Sequence, residues 1–197
     1  MVNNGILTRT SKGQFRIGAN VDIESELPDL VIKIHNLIKK KFPYLRYCIW
    51  DTNLVRSLSL HVPSQLITIV DVEIDGVEAV FHCLQEKFKN VFLLPDQTMI
   101  DKYVAASKVP IIVKVLISEA PVIKIQGKLT PSIEKILVDI LFEKEFLMYQ
   151  GSEMAFIFRN AFESYPIKIS KMMRYATRKR KKEELMNFLS TNKLIAK

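Results

Sequence analysis

At 197 residues, with 48% hydrophobic and 25% charged side chains, the chain is long and apolar enough to bury a core, which excludes global disorder. No apolar stretch approaches the roughly 18–20 residues of a membrane-spanning helix, and a net charge of +8 points to anionic rather than cationic partners. Cys48 and Cys83 are far apart in apolar runs and the histidines are scattered, so buried free thiols are expected and zinc-ligand spacing is absent. The start, Met1-Val-Asn-Asn-Gly, lacks the regions of a signal peptide, so a cytoplasmic location is expected.

In chain order, Ile6 to Arg9 and Gln14 to Ile17 flank Thr10-Ser11-Lys12-Gly13 and predict a β-hairpin. Pro28 to Lys41 predicts a helix, with Leu30, Ile34, Leu37 and Ile38 on one apolar face and Pro43 as a stop. Arg46 to Asp51 predicts a short strand. Leu66 to Glu73 is β-branched and almost continuously apolar, the pattern of a strand covered on both faces. Val77 to Phe88 predicts a helix and Val91 to Leu94 a strand, and Asp96 can cap a helix carrying Met99, Ile100 and Tyr103. Ile111 to Leu116 predicts another buried strand, with Val122 to Ile125 paired beside it.

After Gly127 the pattern turns helical. Thr130 reads as a cap and Pro131 as a first helical residue, ahead of an apolar stripe of Ile133, Ile136, Leu137, Ile140 and Leu141. Gly151 to Tyr165 follows, with Ala155, Phe158, Phe162 and Tyr165 expected inside. The alternation of strands and helices implies an α/β fold: a mixed, mostly parallel central sheet flanked by helices, with an N-terminal hairpin and an all-helical C-terminal part. Residues 1–20 read as the hairpin unit and 21–197 as the α/β domain.

The charge is unevenly placed. Gly151 to Lys197 holds 11 Lys or Arg against 4 Glu, and Lys168 to Lys182 holds eight basic residues and no acidic one. Ile169, Met172, Met173 and Ala176 form an apolar face, while Lys171, Arg174, Arg178, Lys181 and Lys182 fall on another. Continuing that apolar face would place Lys179, Arg180 and Glu183 against the core, so the helix is expected to leave the body or bend near Arg178. Three readings of this face stay open: a solvated surface, a nucleic-acid contact and an acidic protein partner.

No motif announces catalysis. Gly-rich phosphate loops and nucleophile elbows are absent, and His35, His61 and His82 read as structural. The strongest acidic set is Asp51, Asp71 and Glu73 at expected strand ends, with Asp75 beside them, enough for a divalent metal in a restriction-type nuclease. Such a site needs a lysine two residues after the acid, and the residue two after Glu73 is Asp75. The expectation is therefore no catalytic residue, metal or cofactor, with the nuclease as the alternative.

Three stretches together resemble a known family. They are Ile69-Val70-Asp71-Val72-Glu73 with Ala79-Val80-Phe81 and Leu93-Leu94-Pro95; Thr130-Pro131-Ser132-Ile133-Glu134-Lys135-Ile136-Leu137-Val138-Asp139; and Tyr149-Gln150-Gly151-Ser152-Glu153 leading to Met172-Met173-Arg174-Tyr175-Ala176. They are similar to the C-terminal domain of AbiEi-family antitoxins. The hairpin resembles the wing of that family's winged-helix domain, which places Arg9, Lys12 and Arg16 at wing positions near phosphate. No reading helix precedes the hairpin in this sequence, so it is expected as a winged-helix remnant, the chain being either truncated or without major-groove reading. The resemblance implies a non-enzymatic antitoxin and transcriptional regulator of a type IV toxin-antitoxin system. Its partners would be a nucleotidyltransferase-like toxin and DNA. The contact residues would be Arg9, Lys12 and Arg16 with Lys171, Arg174, Arg178, Lys179, Arg180, Lys181 and Lys182.

Overall fold

The computed structural model describes residues 27–61 and 65–195, and the backbone of 7–11 and 14–17. The predicted hairpin is present as β1 (Leu7–Ser11) and β2 (Gln14–Ile17), antiparallel with Leu7 opposite Ile17. Lys12 and the side chains of Arg9 and Arg16 lie outside the described residues.

Helix α1 (Asp29–Lys41) buries Val31, Ile34 and Ile38 and ends two residues before Pro43. The central sheet holds β3 (Tyr47–Asp51), β4 (Thr68–Val72), β5 (Val91–Leu93) and β6 (Ile111–Val115), in the order β3-β4-β6-β5. β4, β5 and β6 run parallel and β3 runs antiparallel at the edge. The short helix α2 (Asn53–Arg56) lies in the connection that turns the chain back from β3 to β4.

β4 is buried at every position because both faces are covered. On one face Val70, Val72, Val113 and Ile49 meet α1 and α3 (Val77–Gln85). On the other, Trp50, Ile69 and Ile112 pack against the C-terminal helices. Asp96 accepts the Met99 N–H at 2.7 Å and opens the short α4 (Gln97–Met99), which runs on into a π-helical turn, Ile100–Val104.

Residues 122–131 depart from expectation. β7 (Val122–Ile125) does not extend the sheet beside β6; it pairs with β8 (Lys128–Pro131) in a separate hairpin. Gln126 and Gly127 both have positive φ, 49° and 75°, as a two-residue turn matching strand twist demands. Thr130 and Pro131 therefore belong to a strand, opposite Ile123 and Val122, and the segment after Gly127 is not wholly helical. Ser132 takes the cap position of α5 (Ile133–Phe142), whose expected stripe of Ile133, Ile136, Leu137 and Ile140 is buried.

A 3-10 segment (Lys144–Tyr149) leads to α6 (Ser152–Ser164), which buries Met154, Ile157, Phe158 and Ala161. Of the four residues expected inside here, Phe158 is fully buried, while Ala155, Phe162 and Tyr165 are half-buried. The chain ends in α7 (Ile169–Arg178) and α8 (Lys182–Thr191). The bend between them falls at Arg180, held in the left-handed region with φ 58°. Among the described residues no helix is long and apolar enough to cross a membrane.

Candidate functional site

On the sheet face toward α5, alternation makes Cys48, Asp71 and Lys114 register partners across β3, β4 and β6. Asp71 and Lys114 are thus charged groups on a surface that is otherwise apolar and covered. Burying an unpaired carboxylate there would be prohibitive. Helix α5 supplies the partner. Lys135 and Asp139, one helical turn apart, face the sheet, and Lys135 Nζ donates to Asp71 Oδ2 at 2.7 Å and to Asp139 Oδ2 at 2.6 Å. The Asp139, Lys135 and Asp71 side chains are only 0%, 1% and 2% exposed.

The pairing continues outward. Lys179 Nζ donates to Asp139 Oδ1 at 2.8 Å and also to Glu143. Lys114 Nζ lies 3.7 Å from Glu143 and donates to Glu145 at 2.6 Å. Asp71, Lys135, Asp139, Lys179, Glu143, Lys114 and Glu145 therefore form one chain of alternating sign, which leaves the sheet at Asp71, passes the half-buried Glu143 and returns to the sheet at Lys114, ending on the buried Glu145. Tyr175 O–H donates to Asp139 Oδ1 at 2.9 Å. Lys135 Nζ also lies 5.8 Å from the Trp50 ring centroid and 5.9 Å from that of Tyr175, within cation–π range.

The electrostatics follow from this packing. Burial alone would push the Asp139 carboxyl up, but Lys135 and Lys179 outweigh it and hold it far below the usual carboxylate range. Burial alone would push the Lys135 ammonium down, but Asp139 and Asp71 outweigh it and raise it. At Lys114, burial is again outweighed, chiefly by Glu145, and its ammonium is held up. Lys179 goes the other way: burial prevails over its shared partner Asp139 and lowers it. The Asp139 contribution to stability is complete above its unfolded pKa of about 4 and is lost as pH falls toward the lower folded value. The Lys135 contribution is complete below about 10.4 and is lost as pH rises toward its higher folded value. The cluster's stabilisation is therefore expected to hold through neutral pH and to fall in acid. Urea unfolding at pH 7 and pH 3 checks this; equal stability would contradict it.

The acids singled out in the sequence do not converge. β3 runs antiparallel to β4, so the end of β3 lies at the start of β4: Asp51 pairs with Thr68 and Asp71 with Cys48. At about 3.3 Å per residue, the three positions from Thr68 to Asp71 separate the two acids by roughly 10 Å. Asp51 instead accepts the Asn53 N–H at 3.0 Å, and burial raises its carboxyl despite that bond. Glu73 lies past the end of β4 and accepts the Arg46 N–H at 2.8 Å, and Asp75 sits in a 3-10 turn. The lysine missing locally arrives from elsewhere, since Lys135 and Lys114 both flank Asp71. The Lys135 ammonium, 2.7 Å from Asp71, occupies the position a metal would need and repels a dication. Among the described residues no group of three or more His, Cys, Asp or Glu side chains is arranged to hold a metal.

The basic segment divides. Lys179, expected to be kept away from the core, turns into it and is only 8% exposed, because Asp139 and Glu143 receive it. Lys171 approaches Glu134 at 3.6 Å, Arg178 donates to Glu119 at 2.6 Å and Lys181 to Glu184 at 2.6 Å. Arg174, Arg180 and Lys182 are exposed, and no ion pair to another described residue engages them. Tyr175 is packed, as its place on the inner face implies. Both cysteines are free and buried, His35 packs on Tyr47, and His61 lies 3.0 Å from Glu153.

Local reading missed the cluster, since Lys114, Lys135, Asp139, Glu143 and Glu145 belong to no motif. The available signal was Lys135 and Asp139 spaced four apart inside the apolar run Ile133 to Phe142. No curated protein matches the chain. Residues 1–195 match a family of unknown function, DUF6577, and the chain belongs to that family.

Proposed function

We propose that this protein acts by binding, as a non-enzymatic antitoxin-type regulator. Its basic C-terminal face meets an acidic surface on a nucleotidyltransferase-like toxin, and the same cations reach DNA. One observation carries the reading: the segment from α7 to the start of α8 sorts its cations into an inward pair, Lys171 and Lys179, that ties α7 to α5 and its C-terminal end, and an outward set, Arg174, Arg180 and Lys182, left to solvent. A helix pinned by buried ion pairs presents its outer charges in a fixed pattern, which favours electrostatic steering and register with an oppositely charged partner. The closed pairing of Asp71 with Lys135 also speaks for a structural rather than a chemical use of that acid.

Co-expression with the product of the adjacent gene tests this directly. The expected result is rescue of growth from that product's toxicity together with a complex that survives gel filtration. The absence of both rescue and complex would overturn the proposal.

A further inference from the structure

A second surface lies far from the basic helices in sequence. An open cleft of about 510 Å³ is bounded by the end of α3, the start of β5 and the π-helical turn at Ile100–Val104. π-Helical turns are rare and concentrate at functional sites. This one places Lys102 and Tyr103 on the cleft wall, with Lys108 from the following loop. Tyr103 is 59% exposed, a large aromatic surface left in water.

The wall is fastened from behind. The Gln65 side-chain amide donates to the Val104 carbonyl at 2.8 Å and reaches that of Ser107. Ser107 Oγ donates to the Tyr103 carbonyl at 2.7 Å, and the Ile111 N–H ties to the Asn90 carbonyl at 3.0 Å. Asn90, which also lines the cleft, takes a left-handed backbone, φ 60°, that turns the chain into β5. The site is therefore built before any ligand arrives.

Its chemistry is one-sided. No carboxylate is among the residues lining the cleft, and Lys102 and Lys108 form no ion pair with another described residue. Phe88 and Phe92, both half-buried, line the same cleft as Tyr103, while the Gln85 and Asn90 side chains can donate and accept at a ring edge. Aromatic faces with flanking lysines are how proteins hold a planar base and its phosphate. The volume lies within the range of small-ligand pockets, about 300–1,000 Å³. We propose that this cleft binds a nucleotide unit, its phosphate on Lys102 and Lys108 and its base against Tyr103, whether as a free mononucleotide or within a single strand.

The test is titration of the ¹⁵N-labelled full chain with AMP, inorganic phosphate and a short oligothymidylate, read by amide shifts. AMP is expected to give saturable shifts confined to residues 85–92 and 102–108, with phosphate alone binding about tenfold more weakly for want of stacking. Lys102→Glu/Lys108→Glu is expected to weaken AMP roughly tenfold or more at unchanged melting temperature, and Tyr103→Ala to remove the preference for AMP over phosphate. Tighter, salt-dependent binding of the oligonucleotide identifies the strand as the source of the nucleotide; equal or weaker binding identifies the free nucleotide. No shifts up to about 10 mM AMP, or phosphate binding as tightly as AMP, overturns the proposal. Shifts confined to α7 and α8 overturn it too, and they would leave the partner surface proposed above untouched.

Discussion

Replacing Lys135 by methionine is expected to destabilise the fold by about 3–5 kcal/mol, which at this chain length lowers the melting temperature by on the order of 10 °C. Among the described residues Lys135 is the one cation within ion-pair distance of the Asp71 carboxylate, and that carboxylate is nearly sealed from water. Without its partner Asp71 must either stay charged in an apolar layer or take up a proton, and both oppose folding. Asp139 suffers less, because Lys179 and Tyr175 still reach it. The alternating chain also supplies its own control. Asp71 and Lys135 are its inner terminal pair, so Asp71→Val/Lys135→Met removes one charge of each sign and costs, besides that pair, only the Lys135 link to Asp139, which keeps Lys179 and Tyr175. Valine suits a strand face that already holds Ile69, and methionine keeps the length of the lysine stem. The double variant is expected to recover most of the loss. Thermal and urea unfolding measure both. A single variant within about 1 kcal/mol of wild type, or a double variant as unstable as the single, would contradict this account of the cluster.

Charge reversal at Arg174, Arg180 and Lys182 is expected to do the opposite: leave stability alone and remove binding. All three are exposed and make no ion pair among the described residues, so their replacement by glutamate should move stability by only about 0.5 kcal/mol. In the proposed complex, association with an acidic surface would depend on them through steering and through contact, and reversing three charges is expected to weaken it on the order of 100-fold. The loss should be largest at low ionic strength, where screening is least. Arg178 and Lys181 are poorer choices for this test, because each already engages a carboxylate, Glu119 or Glu184.

Much of the fold was legible because burial imposes periodicity. The β-branched run around Thr68–Val72 could only be a strand covered on both faces, and the α5 stripe only a helix facing a core. Direction was less legible. Nothing local in Tyr47–Asp51 says that it runs antiparallel to β4; the connection of residues 52–67 is long enough for either sense, and α2 helps turn the chain back. That one fact separates Asp51 from Asp71 and dissolves the acidic set that adjacent strand ends suggested. Thr130 and Pro131 misled for a related reason, since a cap followed by proline has the same residue types as the end of an edge strand. The glycine at 127 beside a residue of positive φ was the better guide to a hairpin. The buried ion chain was hidden because its members come from β4, β6, α5 with the 3-10 segment after it, and the end of α7, which only tertiary packing brings together. Lys179 shows the logic in one residue. Sequence reasoning kept it out of the core because a lone buried lysine is unstable, and the structure admits it because Asp139 and Glu143 are there to meet it.

In the proposed function the buried charges hold α7 against α5, and the exposed Arg174, Arg180 and Lys182 bind the partner. The direct measurement is growth rescue, with co-purification, by three versions of the chain expressed beside the adjacent gene's product: wild type, Asp71→Val/Lys135→Met, and Arg174→Glu/Arg180→Glu/Lys182→Glu. The core double variant is expected to rescue growth and co-purify like wild type, and the surface triple variant to do neither despite folding normally. The reverse pattern, a folded core variant without function and a surface variant that retains it, would place the chemistry at Asp71 and contradict the account.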